Sequence, residues 1–292
     1  HEKMNGLKCK VCGSRVDDYG YKIECTKFIG DFYVIKKCHR CKTMSTYPKP
    51  TNLRVFYDKD YDSYQKKKSF FSFIYKLAQR LNNNYKESII KKLNVHKVLD
   101  FGAGSGEFIK HINKKGYDAW GIEPINNVKN KKIKKSMAGF KNYKFDCITA
   151  WHVIEHTEDP GGVLKKLYNK LRDNGVLVLA LPNYDSYDNT FYGKDWAGFD
   201  VPRHLFHFNV PSITFLTKKI GLKLIKRKPL LLDAFYVSIL SERNKKSYFS
   251  TARGVLIGLI SNILSLFNKQ PSSIIYILKK WKMFFYLWCF LF

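Results

Sequence analysis

Two cysteine pairs, a glycine-rich turn led by an acid, and a histidine-bearing segment give this chain its chemical vocabulary. The pairs are Cys9-Lys-Val-Cys12 and Cys38-His-Arg-Cys41. Two such knuckles supply four thiolates, which close a tetrahedral zinc site and leave no position for water, so the ion is structural. It provides folding energy that a segment of about fifty residues lacks. Cys9, Cys12, Cys38 and Cys41 are the expected ligands, while Cys25 and His39 are read as non-ligands.

The turn is Asp100-Phe-Gly102-Ala103-Gly104-Ser-Gly106. Glycines there permit tight turning and let the backbone approach a ligand closely. The Gly-x-Gly-x-Gly spacing differs from the Gly-x-Gly-x-x-Gly that suits a pyrophosphate at a helix N-terminus. Asp100 would oppose a phosphate but could hold a cationic amino group. Glu123, at the end of the next strand, suits two hydrogen bonds from ribose hydroxyls. The third segment runs from Trp196 to Phe208 and carries Trp196, Asp200, Arg203, His204 and His207. It follows a strand's carboxyl end, where open α/β sheets bind ligands. The competing reading is that both histidines pack and cap the next helix. His152-x-x-Glu155-His156 also spells an inverted zinc-protease motif. That chemistry needs both histidines on one helical face, and here the motif runs directly off a buried strand, so a protease is not expected.

Positioning these residues takes alternating strands and helices. Strands are expected at Val98–Phe101, Ala119–Glu123, Phe145–Ala150, Val176–Leu181 and Leu222–Ile225, with room for one more in the basic stretch before Phe145. Helices are expected at Phe73–Leu93 and Glu107–Lys115, after Asp159-Pro160 up to Gly175, and over Asn209–Ile220 closed by Gly221. The pattern predicts an α/β fold, a Rossmann-like, mostly parallel sheet with helices on both faces, plus a small N-terminal zinc-binding domain. Val255–Phe267 reads as an apolar helix whose Gly258, Ser261, Asn262 and Ser265 line one narrow face, and Ser273–Lys279 as a last strand. The aromatic end, Trp281–Phe292, has about half the roughly 20 apolar residues that a spanning helix needs.

These residues resemble the class I S-adenosylmethionine-dependent methyltransferases. Val98 to Gly106 is similar to their nucleotide-binding motif, and Gly121-Ile-Glu123-Pro124 to their second-strand acid. Phe145 through His156, with Asp159-Pro160, resembles the fourth-strand segment bordering the methyl donor; Asn174-Gly175 to Pro182-Asn183 resembles the fifth. The four motifs occur in order over residues 95–230. The resemblance implies S-adenosyl-L-methionine as cofactor, held by Asp100, Gly102, Ala103, Gly104, Gly106, Glu123, Pro124, Trp151 and His152. The stretch Asn126–Tyr143 is short and has no acid clearly where the family often contacts adenine. Pro202-Arg203-His204-Leu205-Phe206-His207-Phe208 is similar to the Pro-Arg-His-Leu-x-His-Phe signature of one broad subfamily. With its cysteine pairs, the chain resembles bacterial enzymes bearing an N-terminal zinc domain, including sugar C-methyltransferases, where a comparable segment supplies the base. That makes His204 and His207 catalytic candidates, and Trp196, Asp200 and Arg203 substrate-binding candidates. Methyl transfer is chiefly positioning, and histidine suits proton removal near neutral pH.

Composition narrows the partners. A net charge of +28 attracts polyanions, but the lysines are dispersed between apolar segments as a solvated surface. The first fifty residues hold no apolar run for a signal peptide, and Met4 is a candidate start. Cysteines without such a signal suit the reducing cytoplasm. The expected organisation is a zinc-ribbon-like domain (1–50), a helical connecting segment (51–94), the methyltransferase core (95–235), and an apolar helical insertion with last strand and aromatic tail (236–292). The expected function is methyl transfer to a small-molecule, sugar or lipid-linked cell-envelope precursor, with peripheral membrane contact through the C-terminal region. One alternative is an RNA methyltransferase, although the chain lacks an Asn-Pro-Pro-Tyr-like motif after the fourth strand. The other is a non-catalytic zinc scaffold or membrane-interaction protein.

Overall fold

The computed structural model describes residues 7–25, 30–52, 55–56, 70–125 and 129–281. The aromatic end beyond Trp281 and the lysine run 66–68 lie outside them. Three strands come first: β1 (Val16–Glu24), β2 (Phe32–Cys38) and β3 (Met44–Tyr47). Helix α1 (Phe70–Lys91) leads to β4 (Lys97–Phe101), α2 (Glu107–Asn113), β5 (Asp118–Ile122), the short β6 (Ile133–Lys134) and β7 (Phe145–Trp151). Then come α3 (Pro160–Lys170), β8 (Leu171–Pro182), α4 (Tyr187–Tyr192), β9 (Phe206–His207), α5 (Val210–Ile220) and β10 (Leu222–Pro229). The chain continues through α6 (Leu231–Asn244), α7 (Ser250–Asn268) and β11 (Ser273–Lys280).

The large sheet has the order β10-β11-β8-β7-β4-β5-β6. Pairings from β8 through β6 are parallel, and β11 inserts antiparallel between β8 and β10. Both faces are covered, so neighbouring residues of one strand bury on opposite sides. Leu99, Ile148, Leu177 and Leu179 pack with Leu164 and Leu167 of α3 and Ile213 and Leu216 of α5. Val98, Cys147, Val178 and Ala180 pack on the other face with Ile89 and Ile90 of α1 and Phe108, Ile109 and Ile112 of α2. The α/β reading therefore holds, with helices on both faces.

Local signals mark several boundaries. Asp159 accepts from the Gly162 amide to cap α3, whose first residue is Pro160. Asn209 and Ser212 form a capping box on α5, and Gly221 closes it with φ 90°. Gly175 does not end α3: the helix stops at Lys170, and Gly175 sits inside β8 after Asn174, whose φ is 61°. Leu77 and Leu81 of α1 are exposed, whereas Ile89 and Ile90 near its C-terminal end are buried in the core.

The smaller sheet has the order β1-β2-β3-β9, all antiparallel. Its fourth strand comes from the histidine segment, with Met44 opposite His207 and Ser45 opposite Phe206. Asn183, just past β8, bridges to Phe208, so this segment joins the two sheets.

Helices α6 and α7 pack closely because glycine lies between them. A Cβ on Gly254 would meet Ile239 Cα at 2.5 Å, and one on Gly258 would meet the Ala234 carbonyl at 2.8 Å. The face of α7 turned inward carries Gly254, Ile257, Gly258, Ser261 and Ser265. Its apolar residues Val255, Leu256, Leu259, Ile263, Leu266 and Phe267 are exposed. Soluble amphipathic helices do the reverse.

Candidate active site and metal centre

Beyond β4 the chain turns through Gly102, Gly104 and Gly106, at φ 78°, 53° and 80°. Such left-handed backbone strains any residue with a Cβ. The glycines serve different ends. A Cβ on Gly102 would meet Val153 Cγ2 at 2.4 Å, so that position is demanded by packing. A Cβ on Gly104 would meet nothing within 4 Å. The Gly104 amide donates to Glu123 Oε2 at 2.9 Å, and the Ile125 amide donates to Glu123 Oε1 at 2.9 Å. Ala103 is buried, and the exposed Pro124 stands at the loop's rim.

Asp100 is buried, and the Thr149 hydroxyl donates to its Oδ1 at 2.6 Å. Burial pushes its carboxyl up to about 7, against the pull of Thr149 and the Lys86 ammonium, with Glu123 adding to the rise. A buried acid, an open glycine position and a second acid on the adjacent strand fit a ligand bearing an amino group and a ribose. One consequence is measurable. A cationic amino group binds the ionised carboxylate, so ligand affinity should rise with pH to about 7 and then level. Below that it should fall by up to about tenfold per unit, with proton release on binding. For the ligand-free fold the sign is opposite: a raised carboxyl stabilises below about 4, and this contribution is lost as pH rises through about 7. Calorimetry in buffers of different ionisation enthalpy checks the first claim. Binding without proton exchange at pH 6 would refute it.

At the end of β7, Trp151 packs edge-on against Phe108, centroids 5.6 Å apart, and Lys86 Nζ lies 4.6 Å above its ring. The Trp151 indole nitrogen is buried with no hydrogen-bond partner among the described residues. His152 follows in left-handed backbone, φ 54°. Its Nε2 lies 2.7 Å from Asp233 Oδ2 on α6, and its Nδ1 lies 3.4 Å from Glu155 Oε1. Burial opposes charging this imidazole, but Asp233 and Glu155 outweigh it and raise the group to about 10. Lys86 and Asp233 carry no motif in the sequence; they reach the site from α1 and α6 through the fold alone.

The expected acceptor segment divides. Trp196 is 2% exposed and its indole donates to Asp188 Oδ2 at 2.7 Å, so it anchors the segment in a cluster with Met44, Tyr184 and Phe199. His207 is also sealed: burial pushes its pKa well down, and its Nε2 meets the Thr46 hydroxyl at 2.9 Å. Arg203 and Asp200 pair with each other at 2.5 Å and remain partly exposed. His204 donates its Nδ1–H to the Gly198 carbonyl at 2.9 Å, which leaves the lone pair on Nε2, 3.7 Å from Asp200 Oδ2.

Sequence reasoning set aside Glu155 and His156 with the protease motif. Glu155 is fully buried, and His156 donates Nδ1–H to the Arg203 carbonyl at 3.1 Å. Burial and the neighbouring His204 push His156 down to about 4.

The four paired cysteines converge. Cys9 Sγ lies 3.5 Å from Cys41 Sγ, and Cys12 Sγ lies 3.4 Å from Cys38 Sγ, with all four within 4.8 Å of one another. Tetrahedral zinc with about 2.3 Å Zn–S bonds needs sulfurs roughly 3.8 Å apart, so the set fits. His39 pairs with Asp17 instead, and Cys25 packs among Tyr33 and Ile35.

Known proteins share this frame. The model of the family described as "Methyltransferase domain" matches residues 62–227. A ubiquinone biosynthesis O-methyltransferase from Bradyrhizobium diazoefficiens is 24% identical over 129 residues, covering 39% of this chain and 51% of that protein. The chain thus spans about half the length of this curated relative. A SAM-dependent methyltransferase structure from Archaeoglobus fulgidus is 19% identical, with 72% of this chain and 99% of that one covered and a TM-score of 0.44. Phosphoethanolamine N-methyltransferase 2 from Haemonchus contortus, solved with S-adenosyl-L-methionine, is 15% identical over 68% of this chain and 53% of that one, TM-score 0.46. The family match covers more than half of the chain, and the protein belongs to the methyltransferase-domain family, as its class I glycine loop and strand acids led one to expect.

Proposed function

We propose that this protein transfers a methyl group from S-adenosylmethionine to a small or lipid-linked acceptor at the cytoplasmic face of a membrane, with a structural zinc ion in its cysteine site. The observation carrying the donor assignment is the open position at Gly104, between the buried Asp100 and Glu123. When bound, S-adenosylmethionine supplies a methyl group on a sulfonium. Asp100 holds its amino group, Glu123 its ribose, and Trp151 and His152 border the reacting end. An affinity near micromolar, about −8 kcal/mol, is expected.

On the acceptor side we assign Asp200 and Arg203 to orientation and His204 to the reaction. A nucleophile that must lose a proton needs a base or a cation beside it, and the Nε2 lone pair of His204 can take the proton or hold such a cation. His204→Gln should lower turnover by about 100-fold or more while donor affinity stays within a few-fold. His207→Gln should act through stability. Turnover would be measured against quinone precursors, nucleotide sugars and RNA. Normal turnover by His204→Gln would sink this assignment, and methylation of RNA alone would favour the nucleic-acid reading.

The acceptor class rests on α7. This helix is long and apolar enough to cross a membrane, with mean hydropathy 1.4, yet its polar face is turned into the protein. The α6–α7 turn presents exposed Tyr248 and Phe249 beside the exposed Arg243, Lys245, Lys246 and Arg253. Apolar and aromatic groups ringed by cations suit an interfacial helix on anionic lipid. The protein should float with anionic vesicles, and Leu256→Glu with Leu266→Glu should cut the bound fraction at least about tenfold, since each removes an exposed leucine whose burial in lipid would contribute roughly 1.5–3 kcal/mol. Equal, negligible flotation of both proteins would remove the membrane from the proposal.

A further inference from the structure

We propose that Glu155, His156 and His204 form a second metal site, one that takes a divalent transition-metal ion. Glu155 and each histidine offer a ligand atom, and these atoms all lie within 4.8 Å of one another. The imidazoles stand edge to face, centroids 4.6 Å apart. Both histidines donate Nδ1–H to backbone carbonyls, His156 to Arg203 and His204 to Gly198. That is the support metal-ligating histidines normally have: it fixes the ring and puts the lone pair on Nε2.

The carboxylate makes the stronger case. Glu155 is 1% exposed, and neither of its oxygens has a hydrogen-bond partner among the described residues. His152 Nδ1 lies 3.4 Å from one oxygen. A buried carboxylate that meets its histidine neighbour only at 3.4 Å keeps acceptor capacity that a metal ion would fill. Two imidazoles and one carboxylate suit zinc, iron(II) or manganese(II) better than the softer thiolate set at the cysteine site. The fold also holds the ligands together: the Leu205 amide donates to the Glu155 carbonyl at 2.9 Å, tying the end of β7 to the segment bearing His204. Asp200, with Oδ2 3.7 Å from His204 Nε2, adds negative field.

Three protein ligands leave positions for oxygen ligands, as in catalytic rather than structural sites. The ion would lie between His152 on the donor side and Asp200–Arg203 on the acceptor side. The site deepens the role assigned to His204 and rests on that reading for its purpose, though not for its ability to bind metal.

The test is a cobalt(II) titration of the full-length, zinc-loaded protein. One further equivalent should bind, with weak visible bands of nitrogen and oxygen ligation and no thiolate-to-cobalt charge transfer. Glu155→Gln and His204→Gln should each weaken that binding at least about 100-fold. Wild-type protein that takes up no second equivalent overturns the site, whether or not the variants fold. Binding that persists unchanged in both folded variants overturns it too. If no second ion binds but His204→Gln still loses methyl transfer, the metal inference fails while the proposed function stands, with His204 as a base.

Discussion

Gly104→Val abolishes donor binding and leaves a folded protein. A Cβ at this position meets nothing within 4 Å, so the first atom of a side chain disturbs no packed neighbour. What it fills is the space beside the amide that donates to Glu123. The backbone at φ 53° resists a β-branched residue, which costs about 1–3 kcal/mol of stability. Losing donor contact costs more in binding: affinity should fall at least about 100-fold, roughly 2.7 kcal/mol or more. Gly121→Ala provides the contrast. Its Cβ would meet Ile109 Cδ1 at 2.3 Å and Ala103 Cβ at 2.7 Å, so it should lower stability by about 1–3 kcal/mol through overpacking. Calorimetric titration and thermal melts separate the two. Unchanged donor affinity in folded Gly104→Val would mean that the glycine turn binds something else or nothing.

Cys38→Ser should release zinc, dissolve the small sheet and disorder the acceptor segment, while the donor pocket survives. Structural zinc contributes about 10–16 kcal/mol to small domains, far more than the small sheet can replace. The damage spreads along a defined route. Thr46 on β3 donates its hydroxyl to the His204 carbonyl at 2.7 Å and meets His207 Nε2 at 2.9 Å. The Thr46 amide donates to the Leu205 carbonyl at 3.1 Å, and β9 pairs with β3. Hydrogen exchange should therefore show lost protection from Arg203 to Phe208, with β4 and β7 unchanged and donor affinity within a few-fold. Metal analysis should return no cysteine-bound zinc in the variant. If the segment keeps its protection after the zinc is gone, the small sheet is not what holds it.

Much of this was legible in the chain wherever a backbone requirement is local. Positive φ after β4 calls for glycine, a helix start calls for Asp159 before Pro160, and metal knuckles need cysteines two residues apart. The strands could be read because a sheet covered on both faces needs unbroken apolar runs, as in Val176–Leu181. Periodicity reveals that a helix has an apolar stripe, but not what covers it. On α7 the small and polar residues turned inward and the leucines outward; on α1 Leu77 and Leu81 stayed in solvent. Partnerships between distant residues left no local trace. Asp233 meets His152, Lys86 lies over Trp151, and Thr46 meets His207 because the fold brings their elements together. Trp196 illustrates the same limit from the other side. Its type and neighbours suggested a substrate-binding aromatic, and only burial in a cluster with Met44, Tyr184 and Phe199, with Asp188 taking its N–H, made it an anchor. Side-chain identity announces what a residue can bond; which partner it finds depends on chain segments that sequence proximity does not encode.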